Sequence, residues 1–121
     1  MSGPEAPGQA RAYVREALRN SHPPIPPGPL DDVVLVVSEL VTNAFRYGTE
    51  PGDSLRVTVT LPPGTVRVEV SDTVRRHPHL RNESGERARG RGLHIVEVLA
   101  LRWDVDERPF GKTVWAEVAR P

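Results

Sequence analysis

The chain has 121 residues, which is enough for one ordinary domain and too few for two. It contains no cysteine, which excludes disulfides and thiolate metal sites and favours a reducing compartment. Its 16 basic and 16 acidic residues cancel, so the chain as a whole lacks the positive charge with which proteins bind DNA, RNA or anionic membranes.

The length predicts a single domain over residues 1–121, and the absence of targeting and membrane-spanning segments predicts a cytoplasmic protein. Residues 1–10 contain no apolar run that could serve as a signal peptide. No later stretch approaches the roughly 20 apolar residues of a membrane span. We therefore expect no contact with a membrane.

The N-terminal segment, residues 1–29, is predicted to contain one helix and a connector. Between residues 7 and 20 apolar side chains recur at helical spacing, at Ala10, Tyr13, Val14 and Leu18. Residues 21–29 include five prolines, which are expected to exclude helix and strand alike. We expect this second part to be an irregular connector.

The strongest periodicity lies between Leu30 and Tyr47. It predicts a long helix with a broad buried stripe, whose apolar members are Leu30, Val33, Val34, Val37, Leu40, Val41, Ala44 and Phe45. Asp31 and Asp32 suit the positive N-terminal end of such a helix, and Gly48 suits the residue just past its C-terminus.

Two antiparallel hairpins are predicted next. Residues 55–61 and 66–70 alternate apolar and polar side chains around a Pro-Pro-Gly turn. Residues 102–107 and 112–118 form the second predicted pair of strands.

Between the hairpins, residues 73–90 show no periodicity, as expected of a lid over a binding site. A short third helix is predicted to start after Gly92, from the apolar residues Leu93, Val96, Val98, Leu99 and Leu101. This order of elements predicts an α+β sandwich of two layers. Its sheet would be mixed or antiparallel, with four or five strands and about three helices on one face.

Three polar residues of the second helix form a column that could bind a nucleotide. Glu39 and Asn43 are one turn apart, and Arg46 lies one turn further on. The carboxylate could accept a proton or bind water, and the amide oxygen could bind a magnesium ion. The guanidinium could bind a phosphate. The same spacing also occurs on the solvent-exposed face of many helices, so the column alone decides nothing.

Two further motifs fit a nucleotide. Asp72 ends the second predicted strand and could accept a hydrogen bond from an exocyclic amine such as that of adenine, although aspartate is also an ordinary turn residue. Gly90 and Gly92 precede the third helix, where glycines let backbone amides approach phosphates. A helix entry with two glycines is common in itself.

In combination, these motifs resemble those of the GHKL (Bergerat-fold) ATP-binding superfamily, and within it the anti-sigma-factor serine kinases. Four blocks match in order: Ser38–Ala44 (SELVTNA) as the N-box, Val70–Asp72 (VSD) as the first adenine block, Gly90–Val96 (GRGLHIV) as the second glycine block and Gly111–Trp115 (GKTVW) as the last strand. They cover most of the chain from residue 31 onward.

The resemblance implies roles for the polar column. Asn43 would coordinate magnesium, and Glu39 would act as general base towards an incoming hydroxyl or water. Arg46 lies where related kinases keep a basic residue near the phosphates.

The resemblance also implies a base-binding pair and a phosphate-binding segment. Asp72 would accept the adenine amine, and Thr113 would support it from the neighbouring strand. Gly90, Gly92 and Leu93 belong to the block that would line the phosphates under the lid.

The chain departs from the family pattern at two places. The first adenine block of the family runs Asp-x-Gly-x-Gly, but Val74 and Arg76 occupy the glycine positions here. Only residues 1–6 precede the first helix, where the anti-sigma members have an edge strand. A homodimer built on that strand is therefore an open question.

The function implied by the resemblance is ATP-dependent phosphorylation of a serine on an anti-anti-sigma partner, by a protein that otherwise holds a sigma factor. The retained Glu39 favours this reading. One alternative is a binding module whose protein interface is tuned by nucleotide. Another is a detached ATPase domain of the histidine-kinase type.

Overall fold

A computed structural model describes residues 4–47, 54–72, 93–108 and 111–120. The predicted lid lies outside these residues, and so do Val74, Arg76, Gly90 and Gly92. The elements are α1 (Ala6–Leu18), α2 (Pro27–Tyr47), β1 (Leu55–Thr60), β2 (Thr65–Asp72), α3 (His94–Leu99), β3 (Arg102–Arg108) and β4 (Gly111–Ala119).

The four strands form one antiparallel sheet in the order β1-β2-β4-β3. Helix α2 packs across β2 and β4, α1 packs beside it towards β1, and α3 packs against α2 and β3. The turn between β1 and β2 places Gly64 at φ 79°, a conformation that glycine adopts without strain. This architecture confirms the predicted two-layer α+β sandwich.

Strand alternation gives the sheet a helix-facing side and an outer side. Pairing aligns Val57, Val70, Val114 and Val105 in one row across all four strands, and all four are buried. The adjacent row includes Val68, which is fully buried. Because these β-branched side chains meet the apolar stripe of α2, the core lies between the sheet and this helix.

Helix α2 begins three residues before its predicted start, at Pro27. The prediction that all five prolines exclude helix was therefore wrong. Proline is tolerated in a first helical turn because amide groups there have no intrahelical acceptor. The first hydrogen bond of the helix runs from the Leu30 amide to the Pro26 carbonyl, at 3.0 Å.

The earlier start of α2 also changes the role of Asp31, which no longer lies in the first turn. Its carboxylate instead forms an ion pair with Arg15 of α1, at 3.4 Å. The pair links the two helices at the surface.

Apolar periodicity overestimated the buried surface at three places. Tyr13 and Leu61 are exposed, although their spacing matches that of buried neighbours. In and after α3, Val96 is buried, but Val98 is 80% exposed and Leu101 63% exposed. None of the helices in the described part of the chain is both long and apolar enough to span a membrane.

Candidate nucleotide site

Asn43 of the predicted column on α2 is buried, with 5% of its surface exposed. Its Nδ2 donates a hydrogen bond to the backbone carbonyl of Glu39, at 3.2 Å. Since only the nitrogen of the amide can donate, the oxygen Oδ1 is the atom that a cation would contact. Oδ1 is closed to solvent.

Glu39 lies at the edge of the buried stripe of α2 and is partly exposed. One turn earlier, Leu35 lines an apolar pocket of about 260 Å³ together with residues of α3, namely His94, Ile95, Val98 and Leu99. The column of Glu39 and Asn43 therefore lies on the side of α2 that faces α3. Among the predicted site residues that the structure describes, none lines this pocket, so we do not assign the nucleotide to it.

Asp72 lies on the helix-facing side of the sheet. The preceding core residue of β2, Val70, pairs with Val114 of β4, and both point into the core. Asp72 lies two residues after Val70, and Lys112 lies two residues before Val114. Because alternate side chains of a strand share a face, both point to the helix-facing side, next to each other. Asp72 is partly exposed, whereas Lys112 is 3% exposed.

The strand pairs on either side extend this arrangement across the sheet. Leu55 pairs with Asp72 on one side, and Glu107 pairs with Lys112 on the other. We call Asp72, Lys112 and Glu107 the polar row. The polar row lies at the end of the sheet where β2 and β3 end and β1 and β4 begin. Residues 48–54 connect the C-terminal end of α2 to the start of β1 at this end. The half of α2 that carries Asn43 is thus tied by a short connection to the end of the sheet that carries Asp72.

Thr113 is placed differently from the prediction. It pairs with Ser71, and the two hydroxyl oxygens are 3.0 Å apart. Both side chains therefore point to the outer side of the sheet, opposite to Asp72. The structure does not bring the Thr113 hydroxyl beside the Asp72 carboxylate. Lys112 occupies that position instead.

Of the other predicted site residues, Leu93 is described in full and the rest only in part or not at all. Leu93 directly precedes α3 and is 4% exposed in the hydrophobic core, so only its backbone could contact a phosphate. Arg46 lies in α2, but its side chain is not among the parts that the structure describes. Gly90 and Gly92 lie outside the described residues.

Sequence reasoning missed two groups of charged residues. Lys112 could have been found by counting two positions back from the core residue Val114. The second group lies on the outer side, where Glu117 accepts hydrogen bonds from Arg102 at 2.7 Å and from Arg67 at 3.1 Å. No local pattern marks this group, because its members come from three strands.

The outer charge cluster is compact. Arg67 also bonds Glu69 at 2.7 Å, and its guanidinium lies 4.1 Å from the centre of the Trp115 ring. The Arg102 hydrogen bond is the largest influence on Glu117 and lowers its pKa. Burial acts in the opposite direction, and Arg67 adds to the lowering. Glu117 is therefore held ionised between two arginines.

The model of the histidine kinase-like ATPase domain matches residues 2–118, and the chain belongs to this family. Membership implies that the domain binds ATP. A comparison with curated proteins gives no significant match.

Solved structures share the fold. The RsbU and RsbW domains of Rv1364c from Mycobacterium tuberculosis match with a TM-score of 0.69 and 24% identity, over 98% of this chain and 31% of that one. The blue-light activated histidine kinase EL346 of Erythrobacter litoralis matches with a TM-score of 0.56 and 17% identity, over 93% of this chain and 40% of that one. The chain thus spans less than half the length of either structure, and at these identities the likeness concerns the fold alone.

Proposed function

We propose that this domain binds Mg-ATP between α2 and the polar-row end of the sheet and transfers the γ-phosphoryl group to a serine of a small anti-anti-sigma-type protein. In the same proposal it also binds a sigma factor. The observation that carries the proposal is the column of Glu39 and Asn43 on the inner edge of α2, in a chain of an ATPase family. Similarity in fold to a structure that contains an RsbW domain supports the choice of partner.

The donor set suits magnesium. Mg²⁺ prefers a few protein oxygens and keeps water and nucleotide phosphates as its other ligands. Asn43 would hold the ion through Oδ1. When bound, the ion would neutralise charge on the phosphates.

The residues of the chain would supply the remaining steps. The partly exposed carboxylate of Glu39 would accept the proton of the attacking serine hydroxyl. Asp72 would accept a hydrogen bond from the exocyclic amine of the base and so orient the nucleotide.

The nucleotide site is tested by calorimetric titration with magnesium and a non-hydrolysable ATP analogue. We expect Asn43→Ala to lower the affinity by about tenfold or more, since it removes an oxygen ligand of the ion. Asn20→Ala, an exposed asparagine beyond α1, is the matched control and should bind like the wild type. Equal binding by Asn43→Ala and the wild type would show that the metal ligand is wrongly assigned.

Transfer is tested with labelled ATP and candidate anti-anti-sigma proteins of the same cell. We expect phosphoserine on the partner, formed about 10²- to 10⁴-fold more slowly by Glu39→Gln. The matched control is Glu16→Gln, since the Glu16 side chain is 69% exposed on α1. Mass spectrometry identifies the modified residue, and phosphohistidine in place of phosphoserine would favour the histidine-kinase reading.

A second candidate is a binding module whose partner affinity depends on nucleotide. The closed position of the Asn43 oxygen favours it, as does the presence of Val74 and Arg76 where the family has glycine. This candidate requires ATP binding without transfer, together with a partner affinity that changes when ATP is added. A partner affinity independent of ATP would contradict it.

A further inference from the structure

Lys112 is a buried charge that the proposed function leaves unused. It is 3% exposed, in a strand whose other helix-facing residues are Val114, Ala116 and Val118. Burying an ammonium group is costly unless an opposite charge compensates it. A lysine at this position therefore requires a carboxylate nearby.

Two carboxylates flank Lys112 in the polar row, Asp72 from β2 and Glu107 from β3. Side chains that lie side by side across antiparallel strands have Cβ atoms roughly 4.5–5.5 Å apart, well within the reach of a lysine. Neither Asp72 nor Lys112 is without an interaction partner in the structure. Asp72 is partly buried whereas Glu107 is exposed, and an ion pair is stronger where less water surrounds it.

We infer that Lys112 is a positioning residue for nucleotide binding: its ammonium group holds the Asp72 carboxylate in place to accept a hydrogen bond from the exocyclic amine of the base. A carboxylate has about four acceptor positions on its two oxygens, so it can bind the ammonium and the amine together. This inference rests on the proposed function, and it assigns to Lys112 the supporting role that the sequence suggested for Thr113.

The test measures binding of Mg-ATP and of the magnesium complex of purine riboside triphosphate, which lacks the exocyclic amine. We expect Lys112→Met to lower the affinity for ATP by about tenfold, the loss typical of a charge-assisted hydrogen bond. The affinity for the analogue should change less than about twofold, because the analogue makes no bond to Asp72. In the Asp72→Asn background, Lys112→Met should also change ATP affinity by less than about twofold.

Two further variants separate positioning from folding. Lys112→Arg keeps the charge and should retain most of the affinity, and Glu107→Gln should bind ATP like the wild type. If Lys112→Met does not fold, Lys112→Gln keeps a polar end at similar length and carries the same test.

Three results would overturn this inference and leave the proposed function standing. The first is an ATP affinity within twofold of the wild type in the neutral Lys112 variants. The others are an equal loss of affinity for ATP and for the analogue, or a loss of ATP affinity on Lys112→Met that persists in the Asp72→Asn background. A loss in Glu107→Gln as large as that in Lys112→Met would assign Lys112 to Glu107 instead. Failure of the wild-type protein to bind ATP at all would overturn the proposed function and this inference together.

Discussion

The two sides of the four-stranded sheet differ in the residues that they carry. On the helix-facing side, rows of buried valines meet α2, and within the four described strands the charged residues of this side lie in the polar row at one end. On the outer side, charged residues lie mid-sheet and bond one another around Glu117. Burial of apolar surface therefore provides stability on the inner side, where charge is confined to one end of the sheet. On the outer side, charge itself contributes to stability.

The largest effect is expected on the inner side, from Val68→Ala. Val68 is fully buried between β1 and β4, so its truncation loses apolar burial and leaves a cavity. We expect the free energy of unfolding to fall by about 2–3 kcal/mol, as measured by urea denaturation. Thr60→Ala, at an exposed strand position, is the control and should cost less than about 1 kcal/mol. Equal losses in both variants would contradict the division of the sheet into two sides.

The next effect is expected on the outer side, from Glu117→Gln. The side chain of Glu117 is 8% exposed and lies between two arginines, so loss of its charge should cost about 1–3 kcal/mol at pH 7. Glu69→Gln should cost less, because the side chain of Glu69 is 28% exposed and bonds Arg67 alone.

The effect of Glu117 should also depend on pH. Its pKa is lowered in the folded state, so its contribution is fully present above its unfolded pKa of about 4.3 and is lost as pH falls through the lower folded value. The difference in unfolding free energy between the wild type and Glu117→Gln should therefore shrink as pH is lowered from 7 to 3. A difference that stays constant over this range would show that the carboxylate charge is not what stabilises the outer side.

Most of the fold could be predicted because its signals are local. Alternation located all four strands to within about two residues, and the 3.6-residue period located α2 apart from its first turn. The side of the sheet that each member of the polar row faces follows from alternation, but their neighbours could not be predicted, because these depend on which residue of β2 lies beside which residue of β4. A shift of one residue in that register would exchange the places of Lys112 and Thr113. The column of Glu39 and Asn43 was accessible from sequence because both residues lie on one helix.

Thr113→Val tests which side of the sheet the Thr113 hydroxyl occupies. It removes the hydroxyl that bonds Ser71 on the outer side, so we expect a loss of about 0.5–1.5 kcal/mol in unfolding free energy. The affinity for ATP should stay within about twofold of the wild type, whereas Asp72→Asn should lower it by about tenfold. Calorimetric titration measures both. A tenfold loss in Thr113→Val would place its hydroxyl in the nucleotide site and contradict the strand register.

The smallest effect is expected outside the sheet, at the ion pair between Arg15 of α1 and Asp31 of α2. The side chains of Arg15 and Asp31 are 51% and 62% exposed, and the charged atoms are 3.4 Å apart. Because water and salt screen such a pair, Asp31→Asn should change the free energy of unfolding by less than about 0.5 kcal/mol at moderate ionic strength. Urea denaturation at low and high salt tests this, with Glu117→Gln measured alongside. If Asp31→Asn costs as much as Glu117→Gln, then burial is not what distinguishes the outer charge cluster from ordinary surface ion pairs.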